Sequence, residues 1–267
     1  MNTSSLKRTL LALAISFTVA LPMLAQAPAA RPARLPDGHP NLNGIWQAMN
    51  TANWDLQDHA SSASPVVPTG AWMAEPGGPG VVEGGEIPYL PAAKAQKEKN
   101  AKDRMNLDPE VKCYLPGIPR ANYMPYPFQI FQSDKALAFA YQYDGAFRNV
   151  YLKDPGPAPA DSWMGQSYGK WEGDTLVIDV TGLDDRTWFD RAGDFHSDEL
   201  HVVERFTPRG PDVLMYEATI TDPKTFSRPW KISMPLYRHV EPNARLMEFK
   251  CVEFVEELMY GQYRKKQ

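Results

Sequence analysis

Residues 190–207, DRAGDFHSDELHVVERFT, crowd histidines, carboxylates and arginines onto a run that otherwise alternates like a β-strand. A histidine beside a carboxylate is the usual pair for moving a proton, because imidazole titrates near neutrality and the acid fixes its orientation. His196, His201 and Asp198 are therefore candidate catalytic groups. As a helix, this stretch would set Asp198, His201 and Glu204 three residues apart, where they could share a metal. As a strand, it points His201 and Arg205 one way with Glu199 and Val203, and Leu200, Val202, Glu204 and Phe206 the other. Val202, Val203, Phe206 and Thr207 favour the strand, as does the matching run DVLMYEATIT beyond a Pro-Arg-Gly-Pro turn. The strand separates His201 from Glu204, so no metal site is expected here. On the partner run Glu217 and Thr219 share the polar face, opposite Leu214, Tyr216, Ala218 and Ile220, which adds Glu217 to the acid–base candidates. Arg205 offers a guanidinium to an anionic group. The plainer reading is a structural His201 on a solvated sheet face.

Other constellations carry less. His59 with Asp55 and Asp58 has metal-ligand chemistry, but a loop histidine among turn-forming acids is the simpler reading. Gly165-Gln-Ser167-Tyr-Gly169 matches the letters of a nucleophile elbow, yet a Pro-rich loop precedes it and strand and turn follow it, where an elbow needs a strand before and a helix after. No dinucleotide or phosphate loop appears, and no cofactor is expected. Aromatics are plentiful around the same segments. Tyr123, Trp163 and Trp188, with Arg148 and Arg205, are the candidate ligand-binding residues.

The elements that must position these groups are short strands. FQIFQ, ALAFAYQY, FRNVYL, DTLVIDVTG, ELHVVERFT, DVLMYEATIT, SRPWKISMPLYRHV and RLMEFKCVEF are each bounded by turn residues, and NLNGIWQAM supplies a first strand. The expected fold is mainly β, an antiparallel lipocalin-like barrel over residues 41–267. It would carry a long irregular N-terminal excursion at 61–91 and one surface helix at 92–106 that lacks an apolar stripe. Residues 1–27 read as a signal peptide, with Lys7 and Arg8 before an apolar run and Ala25-Gln26-Ala27 at its end. The apolar run is short for a membrane span and contains Pro22, so stable membrane insertion is not expected. Residues 28–40 form a Pro/Ala-rich tether. An exported chain, periplasmic or extracellular, has an oxidising environment, and the two cysteines, Cys113 and Cys251, are expected to form one disulfide. Net charge is −4 without a long basic cluster, which excludes a nucleic-acid partner.

Two resemblances add to this. Gly44-Ile45-Trp46 resembles the opening Gly-x-Trp of lipocalins, which implies a first strand whose indole plugs the closed end of the barrel. PDGHPNLNGIW, WMGQSYGKWEGDTLV and HSDELHVVER, with the runs between and after them, are similar to a family of uncharacterised exported bacterial proteins. That resemblance implies membership and export, and carries over no catalytic residue.

The expected function is binding of a small apolar or aromatic molecule in a cavity lined by aromatic, His and Arg side chains. The alternative is an enzyme, a lyase, isomerase or hydrolase, running His/acid chemistry in the same cavity. Fold does not decide between them, and oligomeric state does not follow from the sequence.

Overall fold

A computed structural model describes residues 33–64, 70, 71 and 74–263. The expected signal peptide, the first part of the tether at 28–32 and parts of the 61–91 excursion lie outside the described residues.

Nine strands close on themselves: β1 Gly44–Ala48, β2 Phe128–Gln132, β3 Leu137–Tyr141, β4 Phe147–Tyr151, β5 Gln166–Glu172, β6 Thr175–Thr181, β7 His201–Pro208, β8 Val213–Thr221 and β9 Trp230–Arg238. Each neighbour in the chain is a neighbour in the wall, and β1 completes the circle by pairing with both β2 and β9. The lipocalin barrel has eight strands. The ninth here comes with a change of direction, because β4 and β5 pair in parallel at Val150–Ser167 and Tyr151–Tyr168. Parallel neighbours need a connection that returns along the barrel. Residues 152–165, Pro-rich and without strand or helix, make that return. All other pairs are antiparallel. The tightest turn joins β5 to β6 through Gly173-Asp174, where Gly173 at φ +60° takes the left-handed conformation a two-residue hairpin requires.

The period-two alternation fills the interior. Val202, Glu204 and Phe206 of β7, Leu214, Tyr216, Ala218 and Ile220 of β8, and Trp230, Ile232, Met234 and Leu236 of β9 are buried, and their neighbours along each strand are more exposed. Trp46 lies in β1 near one end, donating its indole N–H to the Leu42 carbonyl at 2.9 Å, with Arg238 stacked 4.2 Å over the ring. At the other end, where β6 leaves and β7 enters, the described residues of 49–64 and 74–90, together with 182–200, cross over the barrel. They interlock through Arg191 N–H to Asn53 O (2.9 Å) and are pinned to β9 by the bridge Val82–Ile232 and to the β8–β9 connection by Tyr89–Phe226.

The surface helix begins at Pro91 and runs to Lys102 as α1, breaks at Asp103, and resumes as a single turn, α2, Arg104–Leu107. Its polar face is solvated as expected, while Asn100 is buried and donates to the Gly193 carbonyl. RLMEFKCVEF, read as a strand in the sequence, is not one: with β1 and β9 already paired the barrel has no free edge to receive it. It forms an irregular arm, followed by α3 at Val255–Tyr260, and is tied to the body by the Cys113–Cys251 disulfide.

Candidate functional site

Inside the wall, one charged pair interrupts the apolar core. Glu204, on the inward face of β7 between Val202 and Phe206, takes hydrogen bonds from Asn122 Nδ2 (2.6 Å), Tyr216 Oη (2.8 Å) and Arg148 Nη2. Tyr141 donates to Asn122 Oδ1 at 2.9 Å. Arg148 reaches inward from β4, where its exposed neighbours Phe147, Asn149 and Tyr151 point out. Its Nε donates to Ser167 Oγ at 2.7 Å, and the guanidinium lies 5.3 Å from the centre of the Phe139 ring. Burial opposes the Arg148 charge, but the Glu204 carboxylate more than offsets it and holds the guanidinium protonated. Burial likewise pushes the Tyr141 and Tyr216 hydroxyls well above their ordinary range, so both are neutral donors.

One atom of this network has no partner. Arg148 Nη1 is buried and makes no hydrogen bond among the described residues. Above the short β4–β5 ladder, the start of β4 faces the return loop, and a pocket of about 440 Å³ opens there. Its lining includes Arg148 and Ser167 together with Phe147, Tyr151, Trp163 and Met164. Phe147 and Tyr151 are about half exposed at its edge. Trp163 packs at 4.6 Å against Tyr114, and the Arg186 guanidinium lies 4.2 Å from the centre of its ring. The seam thus sets an aromatic rim of outward-facing Phe147 and Tyr151 beside Arg148, whose side chain turns inward to Glu204.

The remaining sequence candidates lie elsewhere. His201 is on the outer face of β7 and meets Asp179 Oδ2 at 3.0 Å, both side chains being more than two-fifths exposed. Arg205, on the same face, pairs with Glu172 at 2.9 Å, and Glu217 stands opposite it in register. Asp198 is a rim residue bound to Lys224 at 2.8 Å, and this pairing holds its carboxyl below the usual range. His196 is buried in the crossing segment: its Nδ1 donates to Ser197 O (2.8 Å) and its Nε2 accepts from Thr187 Oγ1 (2.7 Å). Burial lowers its pKa, so it is neutral near pH 7. Tyr123 is buried with its hydroxyl on Phe189 O at 2.8 Å, and Trp188 is buried beside the Trp188–Phe195 bridge. Of the predicted set, the seam gathers Arg148 and Trp163. Ser167 sits within β5 and accepts from Arg148, so no strand–serine–helix elbow forms.

Glu204, Asn122, Tyr141 and Tyr216 were missed as site residues. The available signal was an acid on the apolar face of a strand, since a lone carboxylate between Val202 and Phe206 demands a buried cation. Comparison of the chain with family models, with curated proteins and with solved structures returns no match, so the reading rests on this geometry.

Proposed function

We propose that the protein binds a small aromatic molecule at the β4–β5 seam. The ring would lie among Trp163, Phe147 and Tyr151, and an acceptor on the ligand, a carbonyl or carboxylate oxygen, would take the hydrogen bond Arg148 Nη1 lacks. The observation that carries the reading is this buried unpartnered donor on a residue lining an aromatic pocket. We also infer export, in keeping with the leader-like start and the disulfide, and kinship with the exported proteins its motifs resemble. Among the described residues no histidine lines the pocket, so the acid–base alternative gains no support from its geometry.

Native mass spectrometry of the protein isolated from its host's exported fraction, repeated after denaturation, tests the reading. An organic adduct lost on denaturation, and reduced at least tenfold in Trp163→Ala, is the expected outcome. An adduct that Trp163→Ala retains in full would place the ligand elsewhere, and a bare chain that also binds no member of an aromatic carboxylate panel would overturn the proposal.

A further inference from the structure

The two segments that cross the barrel end bring three carboxylates together. Asp55 comes from the N-terminal excursion, and Asp190 and Asp194 from the β6–β7 connection; one oxygen from each lies within 4.8 Å of the others. Asp190 and Asp194 are fully buried, and Asp55 is partly so. Asp190 is held rigidly, its Oδ1 accepting from Ala192 N–H (3.0 Å) and Asp194 N–H (3.1 Å) and its Oδ2 from Leu56 N–H (2.9 Å). Asp55 Oδ1 accepts from Gln57 N–H at 2.8 Å. Asp194 Oδ1 accepts from the Tyr89 hydroxyl at 2.7 Å. Asp194 Oδ2, in a side chain with no exposure, receives no hydrogen bond among the described residues. The ammonium of Lys97 stands 3.9 Å away, beyond hydrogen-bond reach.

We propose that Asp55, Asp190 and Asp194 bind a divalent cation of the hard, oxygen-preferring class, calcium above all. Three carboxyl groups gather beside the Lys97 ammonium, and a buried carboxylate oxygen without a hydrogen-bond partner is costly to desolvate. A cation supplies both the charge and the missing partner. Oxygens this close fit around one ion at calcium–oxygen distances of roughly 2.3–2.6 Å, with water completing the shell on the exposed Asp55 side. The ion would clamp the excursion to the β6–β7 connection, and this site is independent of the seam pocket.

The test is calorimetric titration of the full exported chain, stripped with a chelator, with CaCl2 and separately with MgCl2, alongside melting curves. Saturable one-site heat with CaCl2, weaker heat with MgCl2 and a melting temperature rising with calcium concentration are expected. Asp194→Asn should weaken binding at least tenfold. Should that variant not fold, Asp55→Asn at the exposed edge serves in its place. No heat and no thermal shift up to millimolar calcium, or equal binding in wild type and a folded variant, would overturn the proposal.

Discussion

Arg148 and Glu204 show what one buried charge pair demands. Each is tolerable because the other is present and because Asn122 and Tyr216 satisfy Glu204 Oε1 and Ser167 satisfies Arg148 Nε, which leaves Arg148 Nη1 as the one buried donor of the pair without a partner among the described residues. Removing one partner strands the other in an apolar interior, so Arg148→Met should destabilise the protein by about 3–5 kcal/mol in urea unfolding. Arg148→Met/Glu204→Leu should recover most of that loss, since it removes both charges; a double variant no more stable than Arg148→Met would contradict the pair's role. His196 makes a different statement. It is neutral in the fold because burial disfavours its charge, while in the unfolded chain it titrates at about 6.5. The unfolded state therefore binds more protons below that value, and stability should fall as pH drops from about 7 toward 5. His196→Asn should flatten that segment of a stability–pH curve, whatever it does to stability at pH 8.

At the scale of elements, the segments outside the barrel are locked to one another by Glu110. It lies in a 3₁₀ turn, Pro109–Lys112, and its carboxylate binds Arg191 of the β6–β7 connection and Arg120 of the next turn, which also reaches Asp108. Burial raises its pKa, but Arg191 and then Arg120 more than reverse this and bring it to about 2. A depressed carboxylate stabilises the fold above its unfolded pKa of about 4.3, and the contribution disappears as pH falls through 4 toward 2. Equilibrium unfolding should lose roughly 2–3 kcal/mol across that window, and Glu110→Gln should show a shallower acid limb. The disulfide does parallel work for the C-terminal arm, where Phe249 packs at 4.8 Å on Tyr126 and 5.2 Å on Tyr143. Cys113→Ser/Cys251→Ser should cost about 2–5 kcal/mol and raise hydrogen exchange in residues 245–254 before it touches the barrel.

For the molecule as a whole, the wall is uneven. β7, β8 and β9 are joined by long ladders, from His201–Thr221 to Pro208–Leu214 and from Val213–Tyr237 to Ile220–Trp230, whereas the β4–β5 seam is held at two positions. Amides of β4 and of residues 162–167 should therefore exchange by local opening well ahead of those of β7–β9, and a bound seam ligand should protect them selectively. Uniform exchange around the barrel would count against the seam as the point of entry.

Much of this architecture was legible in the sequence. Period-two alternation with turn residues at short intervals dictates antiparallel strands and assigns faces, so that His201 and Arg205 fall on one side of β7 and Glu204 on the other, as the structure has them. With only two cysteines in the chain, a single bridge was the expectation, and Cys113–Cys251 forms it. What alternation cannot specify is the order and sense of pairing, because hydrogen bonding between strands is blind to side chains. The parallel seam, the closure that left RLMEFKCVEF without an edge, and the meeting of Arg148 with Glu204 were decided by tertiary structure. So was the union of Asp55 with Asp190 and Asp194, since groups 135 and more residues apart become neighbours only when the chain closes on itself.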